Sequence, residues 1–143
     1  MSAAIQSLLN LKKWKEDEAK NRFALLLREL DTEEKRLLRL EDKFDSIRKR
    51  YECTTDELIN IGEIKKLNEY LEHVIAKIEH QKKTITEKEK QVETARNVFV
   101  AATKDRKIFE RLDEKQRAVL EKEQRRKEQI GTDEHAVTRY KRQ

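Results

Sequence analysis

Three histidines, one cysteine and 29 carboxylates are the side chains of this 143-residue chain with the chemistry for metal binding, nucleophilic attack or proton transfer. Their spacing argues against each use. His73 and His80 lie seven residues apart, about 10 Å of rise along a helix, too far to share one ion. Cys53 has no second cysteine for a disulfide and no ligands at metal spacing around it, which predicts an inert thiol near a turn. No glycine-rich phosphate loop, no GxSxG elbow and no Cys-His pairing occurs. The carboxylates alternate with lysine and arginine, the pattern of solvated helix faces. These residues predict no enzyme, no metal site and no cofactor.

Phosphate recognition is the next chemistry to weigh. Arg48-Lys49-Arg50, Lys82-Lys83 and Arg125-Arg126-Lys127 are basic clusters, and the net charge is +5. Each cluster is flanked by acids. A basic region feeding a parallel zipper would be more strongly positive than these scattered groups, so nucleic acid is not an expected partner. The surplus is uneven: residues 104–143 hold 13 Lys/Arg against 9 Asp/Glu, while residues 1–60 hold 13 of each. A basic end suits an acidic protein groove, a nucleic acid or an anionic surface, and charge alone does not choose among them.

The elements that position these groups follow from composition and periodicity. With no proline, two glycines and 44% charged residues, the chain reads as long helix bathed in water, and it lacks the apolar volume for a globular core. Phe23, Leu26, Leu30, Glu33, Leu37, Leu40, Phe44, Ile47 and Tyr51 alternate steps of three and four, the a/d seam of a heptad repeat. A second register runs Ile64, Leu67, Leu71, Val74, Ile78, Gln81, Ile85, Lys88, Val92, Ala95, Phe99 and Ala102. Polar residues at Glu33, Gln81 and Lys88 interrupt the seams; in coiled coils such positions fix register at some loss of stability. Between the two, Thr54 and Glu57 have capping-box spacing, and Thr55 or Asp56 can also cap a new helix.

A short connection makes consecutive helices antiparallel neighbours. The expected fold is therefore all-α, an antiparallel two-helix coiled-coil hairpin with an extended C-terminal helix, read as one unit over residues 1–143. Helix 1 covers about 4–52, the tip 53–60, helix 2 about 61–130 and a short tail 131–143, with Gly131 as the C-cap. Folding about the tip brings Leu8 and Leu9 near Ile108, Phe109 and Leu112. Beyond that point the second register meets Arg106, Asp113, Gln116, Glu123 and Lys127. Its apolar character fades where helix 1 runs out, which predicts an overhang over residues 113–130, about 25 Å of single charged helix. Pairs such as Glu121 with Arg125 and Glu123 with Lys127 support it by only ~0.3 kcal/mol each. No apolar run approaches the roughly 20 residues of a membrane-spanning helix, so no membrane insertion is expected and a cytoplasmic protein is.

Aromatic and apolar groups off the seam, Trp14, Tyr70 and Ile75, are candidates for partner anchors, Tyr70 above all. Packing across the seam edge near Phe44 is the structural alternative for Tyr70.

Tyr70-Leu71, Val74, Ile78 and Gln81, followed by KDRKIFERLDEKQRAVLEKEQRRKEQIGTDEHAVTR from Lys104 to Arg139, resemble the FliJ family, small coiled-coil components of the bacterial flagellar type III export apparatus. The matching tail elements are Lys107, Glu110 and Leu112, then Glu123 and Arg126, then Glu128-Gln129, then Asp133-Glu134, Ala136 and Arg139. The likeness covers about residues 64–139, and helix 1 matches as a heptad of suitable length. Two departures stand out. Gly131 is expected to break a helix that the family continues, and Val74 and Lys77 replace other small or apolar residues.

The resemblance implies a two-helix stalk that inserts into the hexameric export ATPase, links it to the cytosolic domain of the export-gate protein and receives emptied export chaperones. It implies export-gate binding by Tyr70, Val74, Lys77 and Gln81. The end bearing both termini, with Arg125, Arg126, Lys127 and Arg139, would take the ATPase or another partner. The implied location is cytoplasmic, peripherally at the inner membrane of the flagellar base. A hairpin of about 70 Å, from roughly 48 paired residues, suits a bridging role. A generic coiled-coil tether or export chaperone independent of an ATPase is the alternative.

Overall fold

The computed structural model describes residues 2–54 and 61–142, and all of these are helical. Helix α1 is Ser2–Thr54 and helix α2 is Ile61–Arg142, of 53 and 82 residues. Their length follows from the absence of proline, since nothing in either interior removes a backbone donor or clashes with the preceding turn. Basic Arg139, Lys141 and Arg142 in the last turn of α2 and acidic Glu63 in its first complement the helix dipole. The capping expected over Thr54–Glu57 rests on the tip, residues 55–60, which lies outside the described residues.

Where the sequence reads as one unit, the packing falls into two, each built from a stretch of both helices. The larger is Ala19–Val98. Here Glu29 of α1 pairs with Lys88, Glu33 with Gln81 and Lys43 with Tyr70. Rising numbers on α1 meet falling numbers on α2, so the helices are antiparallel. Every seam position read from the heptads in this stretch, from Phe23 to Tyr51 and from Ile64 to Ala95, is buried or half-buried. Leu26, Val74, Ile85 and Ala95 are the most enclosed. Most others keep an edge in water, because two helices form a single line of contact rather than a core.

The second unit joins Met1–Glu18 to Phe99–Gln143. Its antiparallel pairing is fixed by Gln6 with Arg117 and Lys12 with Asp105. The α1 seam extends back through Ala19 of the first unit to Glu16, Lys12, Leu9 and Ile5, with the same three-and-four spacing. Opposite lie Phe99, Ala102, Arg106, Phe109, Asp113 and Gln116. This seam is half charged. Glu16 accepts from Arg106 Nε at 2.7 Å, Arg106 also pairs with Glu110 at 2.6 Å, and Lys12 Nζ sits 5.3 Å from the Phe109 ring centroid.

Two boundaries differ from expectation. Asp113 is only 7% exposed and Gln116 is half-buried, so pairing continues past residue 113, and the unpaired part of α2 is residues 118–142. Gly131 does not cap the helix. Residues 131–142 continue α2 instead of forming a tail, and neither glycine takes a positive φ. The physical reason is that a lone glycine inside a helix costs about 1 kcal/mol relative to alanine, a penalty that flanking helix-formers absorb, whereas a break would leave eight backbone groups unbonded.

Candidate partner-binding surfaces

The four residues that the resemblance assigns to the export gate occupy two different columns of α2. Tyr70 and Lys77, one heptad apart, form an outward column: Tyr70 is 41% exposed and Lys77 is exposed. Val74 and Gln81, also one heptad apart, belong to the seam. Val74 is 1% exposed, so it packs against α1 and offers no surface while the hairpin is closed. Gln81 is half-buried, and its Nε2 donates to the Glu33 carbonyl and carboxylate. The four share one stripe of α2, at i, i+4, i+7 and i+11, but only its Tyr70–Lys77 edge is open while α1 covers Val74 and Gln81. Tyr70 lies beside α1, with Lys43 Nζ 5.4 Å from its ring centroid. Ile75 is exposed on the other flank of the seam, and Trp14 is 57% exposed on α1.

The basic group Arg125, Arg126, Lys127 and Arg139 lies wholly on the unpaired stretch of α2, where every described residue from 117 to 142 is exposed. Among the described residues, none of the charged side chains from 118 to 142 forms an ion pair. Val119, Leu120, Ile130 and Val137, each about half exposed, run along the same stretch.

Two features escaped the sequence reading. The first is the clamp of Glu16, Arg106 and Glu110. The hydrogen bond to Glu16 is the largest influence on the Arg106 guanidinium; burial opposes it and the charges of Glu16 and Glu110 reinforce it, and together they raise its pKa above the ordinary arginine value. Its signal was available, since Glu16 and Arg106 both fall on seam columns with opposite charge. The second is an open depression of about 350 Å³ lined by Ala19, Arg22, Lys90, Gln91, Thr94, Ala95 and Val98. Alanines at two facing seam positions leave it unfilled, and it gathers the cations Arg22 and Lys90 but no carboxylate, histidine or cysteine.

His73, His80 and His135 are exposed. Among the described residues no group of three His, Cys, Asp or Glu side chains is placed to hold a metal ion, and no helix is long and apolar enough to cross a membrane.

Comparison with known families decides what these surfaces belong to. The family model described as flagellar FliJ protein matches residues 1–143, the whole chain. The chain belongs to the FliJ family. Membership of this family makes the chain a flagellar export component. No curated protein and no solved structure matches the chain significantly.

Proposed function

We propose that this FliJ-family chain is the stalk of a flagellar export machine. The unpaired end of α2 enters the ring of the hexameric export ATPase, the outward column of Tyr70 and Lys77 meets the cytosolic domain of the export-gate protein, and export chaperones are handed on along the hairpin. The chain works peripherally at the cytoplasmic face of the inner membrane and hydrolyses nothing itself.

The observation that carries this reading is the inequality of the helices. α1 ends its pairing at Gln6 with Arg117, yet α2 continues to Arg142. A stretch of about 25 helical residues without tertiary packing rests on helix propensity alone, and its exposed seam column and basic groups are what a ring-shaped partner would engage. Cations such as Arg125, Arg126 and Lys127 would speed encounter with an acidic pore more than they deepen affinity. Asymmetric contact of one helix with six subunits would bias them unequally between conformations, which is how a passive rod can influence hydrolysis.

The test is the rate of ATP hydrolysis by the ATPase with and without the chain. The reading expects faster hydrolysis or greater hexamer formation with the full chain, and neither with a version ending at residue 117. An unchanged rate and unchanged assembly would remove the stalk role and leave the ATPase-independent tether.

A further inference from the structure

The unpaired stretch of α2 carries a charge pattern that complements itself. The heptad column of Phe109 and Gln116, which faces α1, continues through Glu123, Ile130 and Val137, where no α1 residue remains. Around it the charges are unevenly grouped: Glu121 and Glu123 with Lys122 between them, basic Arg125, Arg126 and Lys127 followed by Glu128, acidic Asp133 and Glu134, then basic Arg139, Lys141 and Arg142. Reversing the helix about Ile130 lays the first half of this pattern on the second. Arg126 then meets Glu134, Lys127 meets Asp133 and Leu120 meets Tyr140, with Ile130 against itself on the two-fold axis.

The geometry points to a second copy of this chain as an occupant of that stripe, paired antiparallel through residues 119–141. Three observations support it. The stripe is open, with Ile130 at 48% and Val137 at 54% exposure. A shallow depression on it is lined by Ile130 and Val137 together with Asp133, Glu134 and Thr138. Its charged groups form no ion pair within their own chain among the described residues, and Asp133 takes only a 3.3 Å hydrogen bond from Gln129 Nε2, which leaves its charge open to a cation across the axis. An isologous interface requires a self-complementary patch, and opposite charges flanking an apolar line are what set orientation in paired helices. The alternative parallel pairing would place Arg126 and Lys127 against their own copies.

One helix pair of this length buries a small interface, and interfaces below ~1,200 Å² are transient. The pairing is accordingly a weak, salt-sensitive one, and it covers the same stretch of α2 that the proposed stalk would present to its ring. A paired chain is a stalk withheld. The inference does not depend on that role, because its test needs this chain alone.

Sedimentation equilibrium of the full chain should show a monomer–dimer equilibrium that weakens as salt is raised. Arg126→Glu with Lys127→Glu, and separately Asp133→Lys with Glu134→Lys, should each weaken dimerisation at least tenfold. Mixing the two variants should restore it as a heterodimer, since every pair across the axis is again opposite in sign. In a Cys53→Ser background, Ile130→Cys should form an intermolecular disulfide on oxidation and Leu120→Cys should not, because antiparallel pairing puts position 120 against 140. Circular dichroism of each variant verifies that the hairpin is intact. A chain monomeric at every concentration, a mixture that fails to restore the dimer, or cross-linking at 120 rather than 130 would overturn the proposal.

Discussion

Gln81 on α2 donates from Nε2 to two oxygens of Glu33 on α1, the main-chain carbonyl at 2.9 Å and a carboxylate oxygen at 2.6 Å. The other carboxylate oxygen takes Arg36 at 3.0 Å, and the Glu33 side chain is only 14% exposed. This rung specifies register. Sliding α1 by one heptad would set Gln81 against Leu26 or Leu40 and leave both polar groups unmatched within an apolar line. Gln81→Leu alone should cost about 1–3 kcal/mol by stranding a half-buried carboxylate. Replacing Glu33 and Gln81 together by leucine should recover that loss and add on the order of 1 kcal/mol, at the expense of a unique register. Urea denaturation of the singles and the double measures both; a double variant no better than Gln81→Leu would show that the rung does not act as a matched pair.

Val74 and Tyr70 separate packing from binding. Val74→Ala opens space at the most enclosed side chain of the hairpin and should cost about 2 kcal/mol. Tyr70→Ala forfeits the contact with Lys43, about 0.5–1 kcal/mol at an exposed site, together with the packing of its half-covered ring, and Lys77→Ala almost nothing. If the gate protein reads the outward column, titration calorimetry should show affinity falling for Tyr70→Ala and Lys77→Ala. It should be unchanged for Val74→Ala at a temperature where that variant is folded. The reverse ranking would mean that the hairpin opens to bind.

How much of this was legible in the residues depends on the kind of side chain at each seam position. From Phe23 to Tyr51 and Ile64 to Ala102 apolar residues dominate, and the heptad names the buried positions directly. The α1 stretch before residue 23 follows the same spacing, but Lys12, Glu16 and Ala19 stand where leucines would have signalled it. Only the facing residues on α2, Phe109 and Arg106, show why charges fit there. Val74 belongs both to the heptad seam and to the gate surface that the resemblance implies; the structure shows it enclosed against α1, and the seam spacing already placed it there. Gly131 was misread because local propensity marks a possible stop, while the decision lies with the residues on both sides.

The Arg106–Glu16 pair should be insensitive to pH over the working range. A cation whose folded pKa is raised contributes its stabilisation fully below its ordinary value and loses it only as pH climbs through the raised one. The stability gap between the native chain and Arg106→Gln should therefore be the same at about pH 7 and about pH 10, with the variant the less stable at both. A gap that closes by pH 10 would place the pair's strength elsewhere than in the guanidinium.

Gly131 offers the sharpest reading of the unpaired helix. It sits inside α2 without a positive φ, and a Cβ added there would meet nothing within 4 Å. Gly131→Ala should therefore stabilise that stretch locally by about 0.5–1 kcal/mol, because alanine gives up less backbone freedom on entering a helix. The hairpin's own melting should hardly move, since, among the described residues, 118–142 are exposed throughout and form no contact with α1 that its unfolding would report. Hydrogen exchange should slow severalfold across residues 125–142 and stay constant in the seams. If residues 118–142 pair with a second copy, the dimer should tighten as well, because less ordering remains to be done on association. Unchanged exchange would mean that the helix already ends before Gly131 in solution, and the self-pairing would then lose its second half together with Asp133 and Glu134.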